Sequence, residues 1–350
     1  MYELPEKLKN LVPYHPLTGS YSIRLDANES FITLPDALRE EIAKSVAAVD
    51  FNRYPDPYCT DLCQKFADFF DIDASLVVAG NGSDELIGLI VSSFAGSGDT
   101  MAVVKPEFSM YEFYAQMYGV NVEAYEKDST TLAIDADELI SFVREKNARI
   151  LILSNPCNPT SLTATQQDIQ KIVSSLDCVV VIDEAYMDFS EGSVLRMAGE
   201  YDNLIVLKTC SKAFGMAAIR LGFAAASLPI TQAIKAAKSP YNVNSMTQTV
   251  GCLLFEQKEY LLGCIGRIKC SRNWLYEEIL ALAAQKSEIL SVSNTCANFV
   301  FMRLANPKYV FEELGKQGIA VRCMEPFLRI TAGSQQENSA VIAVLSEILR

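Results

Sequence analysis

The sequence predicts an α/β protein, with a large domain built on a mostly parallel sheet between helices and a smaller α/β domain. Three observations carry this. Short apolar runs rich in Val, Ile and Leu alternate with longer amphipathic stretches through the middle of the chain. From about Met246 the texture changes to a long helical region followed by shorter strand candidates. Polar signatures fall just past the ends of several apolar runs, which is where open parallel sheets bind ligands.

The elements follow in order. The first residues, Met1-Tyr2-Glu3-Leu4-Pro5-Glu6-Lys7, show no basic-then-apolar signal pattern. Residues 76–79 read as a strand and 84–94 as a helix; 101–104 and 109–118 repeat that pair. The near-continuous apolar runs at 150–153 and 179–182 suit strands covered on both faces. Runs at 204–207 and 221–224 continue the series, and alternating strands and helices imply a parallel sheet. A helical region spans about 246–286; strands at 298–304 and 328–331 and helices at 308–316 and 336–349 complete the chain. No repeat, low-complexity segment or Gly/Ser-rich linker interrupts it, so the parts should pack as one unit. The expected division is a large domain at 30–250 and a small one formed by 1–29 and 251–350.

Composition narrows the function. The 350 residues are 50% apolar and 21% charged, as in a soluble globular protein. A net charge of −13 argues against nucleic acid and acidic membrane surfaces as partners. It also repels an anionic substrate at long range, so local arginines would have to capture one. Ten cysteines occur without a C-x-x-C pair, and His15 is the only histidine, so no metal site is expected. Scattered cysteines and the lack of any run long enough for a membrane helix fit a cytoplasmic protein with reduced thiols.

The polar signatures suggest chemistry, each beside a plainer alternative. Lys208-Thr209-Cys210-Ser211-Lys212-Ala213-Phe214-Gly215, with Arg220 beyond, suits a lysine that forms an imine with an aldehyde cofactor. Hydroxyls and the arginine would hold that cofactor's phosphate; a solvated loop would look similar. Gly80-Asn81-Gly82-Ser83-Asp84-Glu85 joins a strand to a helix whose first amides suit a phosphate, or is a turn with Ser83 as N-cap. Glu85 stands where a dinucleotide fingerprint needs its third glycine. Asp183, at a buried strand end, needs a partner, and a pyridinium N–H would serve. Tyr186 and Asn158, the latter in Asn155-Pro156-Cys157-Asn158-Pro159-Thr160, can reach a ring oxygen of the same group or belong to ordinary turns. Arg329 interrupts the apolar run Phe327-Leu328-Arg329-Ile330-Thr331 and wants a carboxylate, from substrate or from the protein itself.

Taken in order, these motifs, together with Leu25-Asp26-Ala27-Asn28-Glu29 and Arg53-Tyr54-Pro55-Asp56, resemble the histidinol-phosphate aminotransferases of the fold-type I pyridoxal-phosphate enzymes along nearly the whole chain. The resemblance implies a ping-pong transaminase acting on a small-molecule amino donor and a 2-oxo acid. It assigns catalysis to Lys212 as the Schiff-base lysine, with Asp183 on the pyridine nitrogen and Tyr186, with Asn158, on the ring oxygen. It places Thr209, Ser211, Arg220 and the amides near Ser83 and Asp84 around the phosphate of pyridoxal 5'-phosphate, with Phe108 stacked on the ring. It implies a homodimer in which Tyr54 reaches the partner's site. Arg329 would clamp a substrate carboxylate, Tyr14 and Asn28 would line the substrate pocket, and Arg322 would meet a substrate phosphate. A threonine-phosphate decarboxylase, an aromatic aminotransferase or a non-catalytic cofactor-binding domain would share much of this set.

Three departures stand out. Ser161 occupies the position of the glycine usual after the Asn-Pro-Thr turn, and no proline follows Glu29 at Ser30 or Phe31. The segment between Arg322 and Arg329 is also short, at the end of the site where the substrate would lie.

Overall fold

A strand whose every side chain is buried needs cover on both faces, and the apolar runs of this chain receive it. The computed structural model describes residues 2–9, 11–12 and 17–350. In chain order its strands are β1 (Ile23–Arg24), β2 (Val77–Gly80), β3 (Thr100–Lys105), β4 (Asn121–Glu126), β5 (Ile150–Ser154), β6 (Val179–Asp183) and β7 (Leu204–Thr209). They continue as β8 (Gly222–Ala226), β9 (Ile289–Val292), β10 (Phe299–Leu304), β11 (Ile319–Ala320), β12 (Arg322–Met324) and β13 (Phe327–Thr331). A seven-stranded sheet has the order β2-β8-β7-β6-β5-β3-β4. Alternate residues of each strand feed two separate cores. Leu151, Leu153, Val180, Ile182, Leu204 and Val206 join one, while Ile150, Ile152, Val181, Ile205 and Leu207 join the other. Helices cover both faces, as a period of two with apolar residues at every position requires.

The sheet is parallel except at β8, which runs antiparallel to both β7 and β2. Its reversal follows from the connection. Residues 210–221 hold only a short 3-10 turn, Ala217–Ile219, too little to cross over the sheet and return parallel. That tight return is the segment carrying Lys212. Strand β4 lies outside the sequence expectation. Asn121-Val122-Glu123-Ala124-Tyr125-Glu126 alternates polar and apolar side chains, the pattern of an edge strand, and it pairs only with β3. Ser83 is not the cap of its helix. The helix spans Gly82–Phe94 with Asn81 at the cap position, and Asn81 N–H donates to Glu85 Oε2 at 2.6 Å.

The carboxyl-terminal part builds a four-stranded antiparallel sheet, β12-β13-β10-β9, with a third core that includes Leu275, Ile279, Val300, Leu328 and Val341. Leu25 joins that core, and β1 pairs in parallel with β11. The expected helical region at 246–286 is two helices, Ser245–Glu256 and Lys258–Ala283, broken at Gln257. Among the described residues no helix is long and apolar enough to cross a membrane. The short segment before Arg329 is a tight hairpin, in which Arg322 lies directly opposite Arg329.

Gly222 fixes how the sheet meets the helix that begins at Gly82. A Cβ there would lie 2.2 Å from the backbone nitrogen of Ser83. Gly222→Ala is expected to lower stability by about 1–3 kcal/mol through overpacking against backbone. Urea unfolding of the variant beside the parent protein measures this.

Candidate active site

One cavity of about 450 Å³ opens at the carboxyl ends of the sheet strands. It is lined by every residue singled out above as a site candidate except Tyr14, which lies outside the described residues, and Tyr54. Tyr54 is 81% exposed, and its ring stacks on Tyr241 at 4.5 Å. The other candidates converge because most end or follow strands of the large sheet at one end, while Arg322 and Arg329 come from strands of the small sheet that reach the same cavity.

Lys212 sits at the centre. Its Nζ donates to the carbonyl oxygen of Ala27 at 2.8 Å. Burial first, then the nearby Arg329 guanidinium, bring its pKa down from 10.5 to about 8, against the opposing pull of Glu29. An amine so placed is partly neutral near neutral pH and able to act as nucleophile or base.

To one side lies a cradle for an anion. The helix Gly82–Phe94 points its first amides toward the cavity through Ser83 and Asp84. Gly82 adopts φ +81, a backbone that favours glycine, and a Cβ on it would lie 2.9 Å from an Arg220 guanidinium nitrogen, so the bare helix end lets the arginine approach closely. Arg220 itself holds a left-handed backbone, φ 50. Thr209 and Ser211 add hydroxyls to the cavity wall, with Ser211 N–H donating to Thr209 Oγ1 at 3.2 Å.

At another wall Asp183 ends β6. Ala185 N–H donates to its Oδ1 at 3.0 Å, and the Tyr111 hydroxyl donates to its Oδ2 at 2.8 Å. Burial pushes the Asp183 pKa up, opposed chiefly by the Tyr111 bond. A cationic N–H brought to this carboxylate would relieve that penalty. Tyr111 was not among the sequence candidates; its signal was its place one helical turn beyond Phe108. The two rings meet edge to face, 5.5 Å apart.

The third wall joins the small sheet to the large one. Arg329 donates from Nη1 to Asn158 Oδ1 at 2.5 Å and from Nη2 to the Asp26 carbonyl at 2.6 Å. Asn28 Nδ2 donates to the Tyr186 hydroxyl at 2.9 Å, while Asn28 Oδ1 accepts from Thr331 Oγ1 at 3.0 Å. Burial raises the Tyr186 pKa, opposed by the charge of Arg329 and the bond from Asn28. Asn158 and Tyr186 therefore belong to one network with Arg329 and Asn28, which spacing along the chain does not reveal.

Ser161 adopts φ 63, the left-handed region that explains the glycine usual there. Its hydroxyl offsets the strain. Oγ accepts from the backbone N–H groups of Cys296 at 3.0 Å and Ala297 at 2.9 Å. Because Thr295 Oγ1 donates to the Phe299 carbonyl, Ser161 is the donor in its 3.1 Å bond to Thr295 Oγ1.

A partly neutral lysine, an anion cradle and a buried carboxylate around one cavity define an enzyme of amine chemistry that works on an anionic cofactor. The family model for aminotransferase class I and II matches residues 20–345. The chain is 39% identical over 350 residues to the histidinol-phosphate aminotransferase of Clostridium kluyveri, spanning 99% of this chain and 98% of that one. It is 38% identical over 340 residues to that of Clostridium novyi, spanning 96% and 94%. The fold matches the crystal structure of histidinol-phosphate aminotransferase from Sinorhizobium meliloti in complex with pyridoxal-5'-phosphate, with TM-score 0.87, 20% identity and coverage of 99% and 97%. The chain belongs to the histidinol-phosphate aminotransferases, a branch of the class I and II aminotransferases.

The lowered pKa of Lys212 makes a pH prediction for the cofactor-free protein. Below about 8 the lysine is protonated both folded and unfolded, and the cost of burying its charge is fully present. Between about 8 and its unfolded value the unfolded chain binds more protons, so stability rises with pH. Lys212→Met should therefore be more stable than the parent at pH 7, and the gap should shrink by pH 9.5. Urea titrations at both values measure it; a gap independent of pH contradicts the assignment.

Proposed function

We propose that this enzyme moves the amino group between L-histidinol phosphate and 2-oxoglutarate, giving imidazole acetol phosphate and L-glutamate, with pyridoxal 5'-phosphate as cofactor. The observation that carries the reading is the position of Lys212, an amine with a pKa of about 8 in a cavity it shares with Asp183, Arg220, Arg322 and Arg329.

The donor set fits the cofactor. The helix amides at Ser83 and Asp84, the hydroxyls of Thr209 and Ser211, and Arg220 suit a phosphate dianion. Asp183, raised by burial, suits a pyridinium N–H, and the Phe108 ring suits one face of an aromatic ring. Tyr186 would donate its hydroxyl proton to a phenolate oxygen, and Asn158 its side-chain amide. When bound, the cofactor supplies an electron sink conjugated to the substrate carbon that loses its proton. Lys212 Nζ, in its unprotonated form, would take that proton from the substrate carbon and deliver it to the cofactor's former aldehyde carbon on the other side of the nitrogen, after which water would release the ketone and leave the amino group on the cofactor.

The substrate end would be read by the facing pair Arg322 and Arg329. Histidinol phosphate carries a phosphate and no α-carboxylate, whereas glutamate carries carboxylates, and two adjacent guanidiniums accommodate either. Asn28 lines the same region, and Tyr14 would join it. The division into 30–250 as the cofactor-binding part, with 1–29 and 251–350 closing over it, belongs to the same proposal. So does a homodimer. Tyr54, Tyr58 and Phe51 are exposed in the single chain, and Tyr54 lies outside its own cavity, as a residue serving a second copy's phosphate would.

Half-reaction spectroscopy tests the proposal. Histidinol phosphate added to the cofactor-loaded enzyme should bleach the visible band of the bound cofactor, while threonine phosphate and phenylalanine should leave it largely intact. Conversion by threonine phosphate with release of carbon dioxide would establish a decarboxylase instead. Lys212→Ala should abolish turnover. Arg322→Gln should lower kcat/KM for histidinol phosphate by about 10–100-fold, roughly 1.4–2.7 kcal/mol, with a smaller effect on glutamate. Equal losses for the two substrates would remove Arg322 from the phosphate role.

A further inference from the structure

In the cavity wall, through Glu107 and Ser154, and behind it lies a buried charge cluster to which the proposed reaction assigns no task. Glu107 follows β3 and Pro106, and its carboxylate faces inward. Oε1 accepts from the Phe108 N–H at 2.9 Å and from the Ser154 hydroxyl. Oε2 accepts from the Ser154 N–H at 3.1 Å. The same Ser154 hydroxyl accepts from the Asn158 N–H at 3.0 Å. Lys127 supplies the countercharge. Its Nζ donates to the Pro106 carbonyl at 2.9 Å and to Cys157 Sγ at 3.0 Å, and Cys157 Sγ lies 3.8 Å from Glu107 Oε1.

Two donors converge on Oε1 and one on Oε2, the arrangement of an ionised carboxylate, which accepts and does not donate. Burial pushes the Glu107 pKa up, and the Lys127 charge with the Ser154 bonds pulls the other way. An anion kept out of water at this cost is held by fixed geometry. The atoms it fixes are the backbone of Phe108 and, through the Ser154 hydroxyl, the backbone of Asn158. Those two residues stand on different loops, after β3 and after β5, and reach the same cavity.

We propose that Glu107 is a positioning residue for the reaction, locking the loops of Phe108 and Asn158 in register so that both side chains meet the cofactor ring. The inference rests on the reading that Phe108 and Asn158 touch that ring. Glu107→Gln keeps the shape, removes the charge and puts an amide where a carboxylate accepted. Ser154→Ala removes only the hydroxyl relay, and it decides the matter if the first variant fails to fold.

The test compares both variants, Asn158→Ala and the parent protein by pyridoxal-phosphate affinity, visible circular dichroism of the bound cofactor and melting of the cofactor-free protein. Glu107→Gln should bind the cofactor about tenfold more weakly, in line with the loss of a residue that orients a binding group. Its visible dichroism should fall, and Ser154→Ala should move both readings the same way by a smaller factor. Parental affinity and dichroism in both variants, whatever their melting temperatures, overturn the positioning role. If Asn158→Ala alone weakens binding, the cofactor reading stands and only this inference fails. If Asn158→Ala is also unchanged, the cofactor reading fails with it.

Discussion

Holding cations beside a buried amine is the constraint to which the rest of the site answers. Lys212 loses charge stabilisation through burial and again through Arg329 and Arg220, in a chain whose net charge is −13. The overall charge does not help locally, because exposed charges a Debye length away are screened. What makes the cluster tolerable is that each cation is tied to oxygen. Lys212 reaches the Ala27 carbonyl, and Arg329 reaches Asn158 and the Asp26 carbonyl. The site is thereby prepared for anions.

Those same ties hold two sheets and the amino-terminal segment together. Asn28 adopts a left-handed backbone, φ 55, and is held from every side. Its N–H donates to Thr331 Oγ1, its carbonyl accepts from Asn298 Nδ2, and its side chain reaches Tyr186. Such a buried polar network is stabilising only when nearly every member is satisfied. Removing one partner would strand the others, so substrate-facing residues here also carry stability. Ser161 shows the same economy, since one hydroxyl offsets a strained backbone by capping the loop at Cys296 and Ala297.

Much of this was legible along the chain. The runs at 150–153, 179–182 and 204–207 read as strands because apolar residues at every position leave few alternatives, and polar residues just past them mark the ligand end of the sheet. Strand β4 escaped that reading because an edge strand alternates and looks half like a loop. The break at Gln257 escaped because no glycine or proline marks it. One reading of the strand-to-helix turn makes Ser83 its N-cap, yet Glu85 reaches back to Asn81 N–H and the helix starts earlier. Tyr111 and Glu107 escaped for another reason. Glu107 carries no signal until its carboxylate is seen out of water, and the place of Tyr111 one turn past Phe108 gains meaning only once its hydroxyl is seen on Asp183.

By itself the sequence determined the class of fold, the end of the sheet that would bind a ligand and the residues able to handle an amine and a phosphate. Periodicity and residue chemistry are local properties, readable from neighbours along the chain. The tertiary structure decided which of those residues meet. It set Arg322 opposite Arg329, placed Arg329 on Asn158, lowered the Lys212 pKa and bonded Glu107, on the loop after β3, to Ser154 at the start of the loop after β5. Burial and proximity across distant segments cause each of these, and neither exists until the chain has folded.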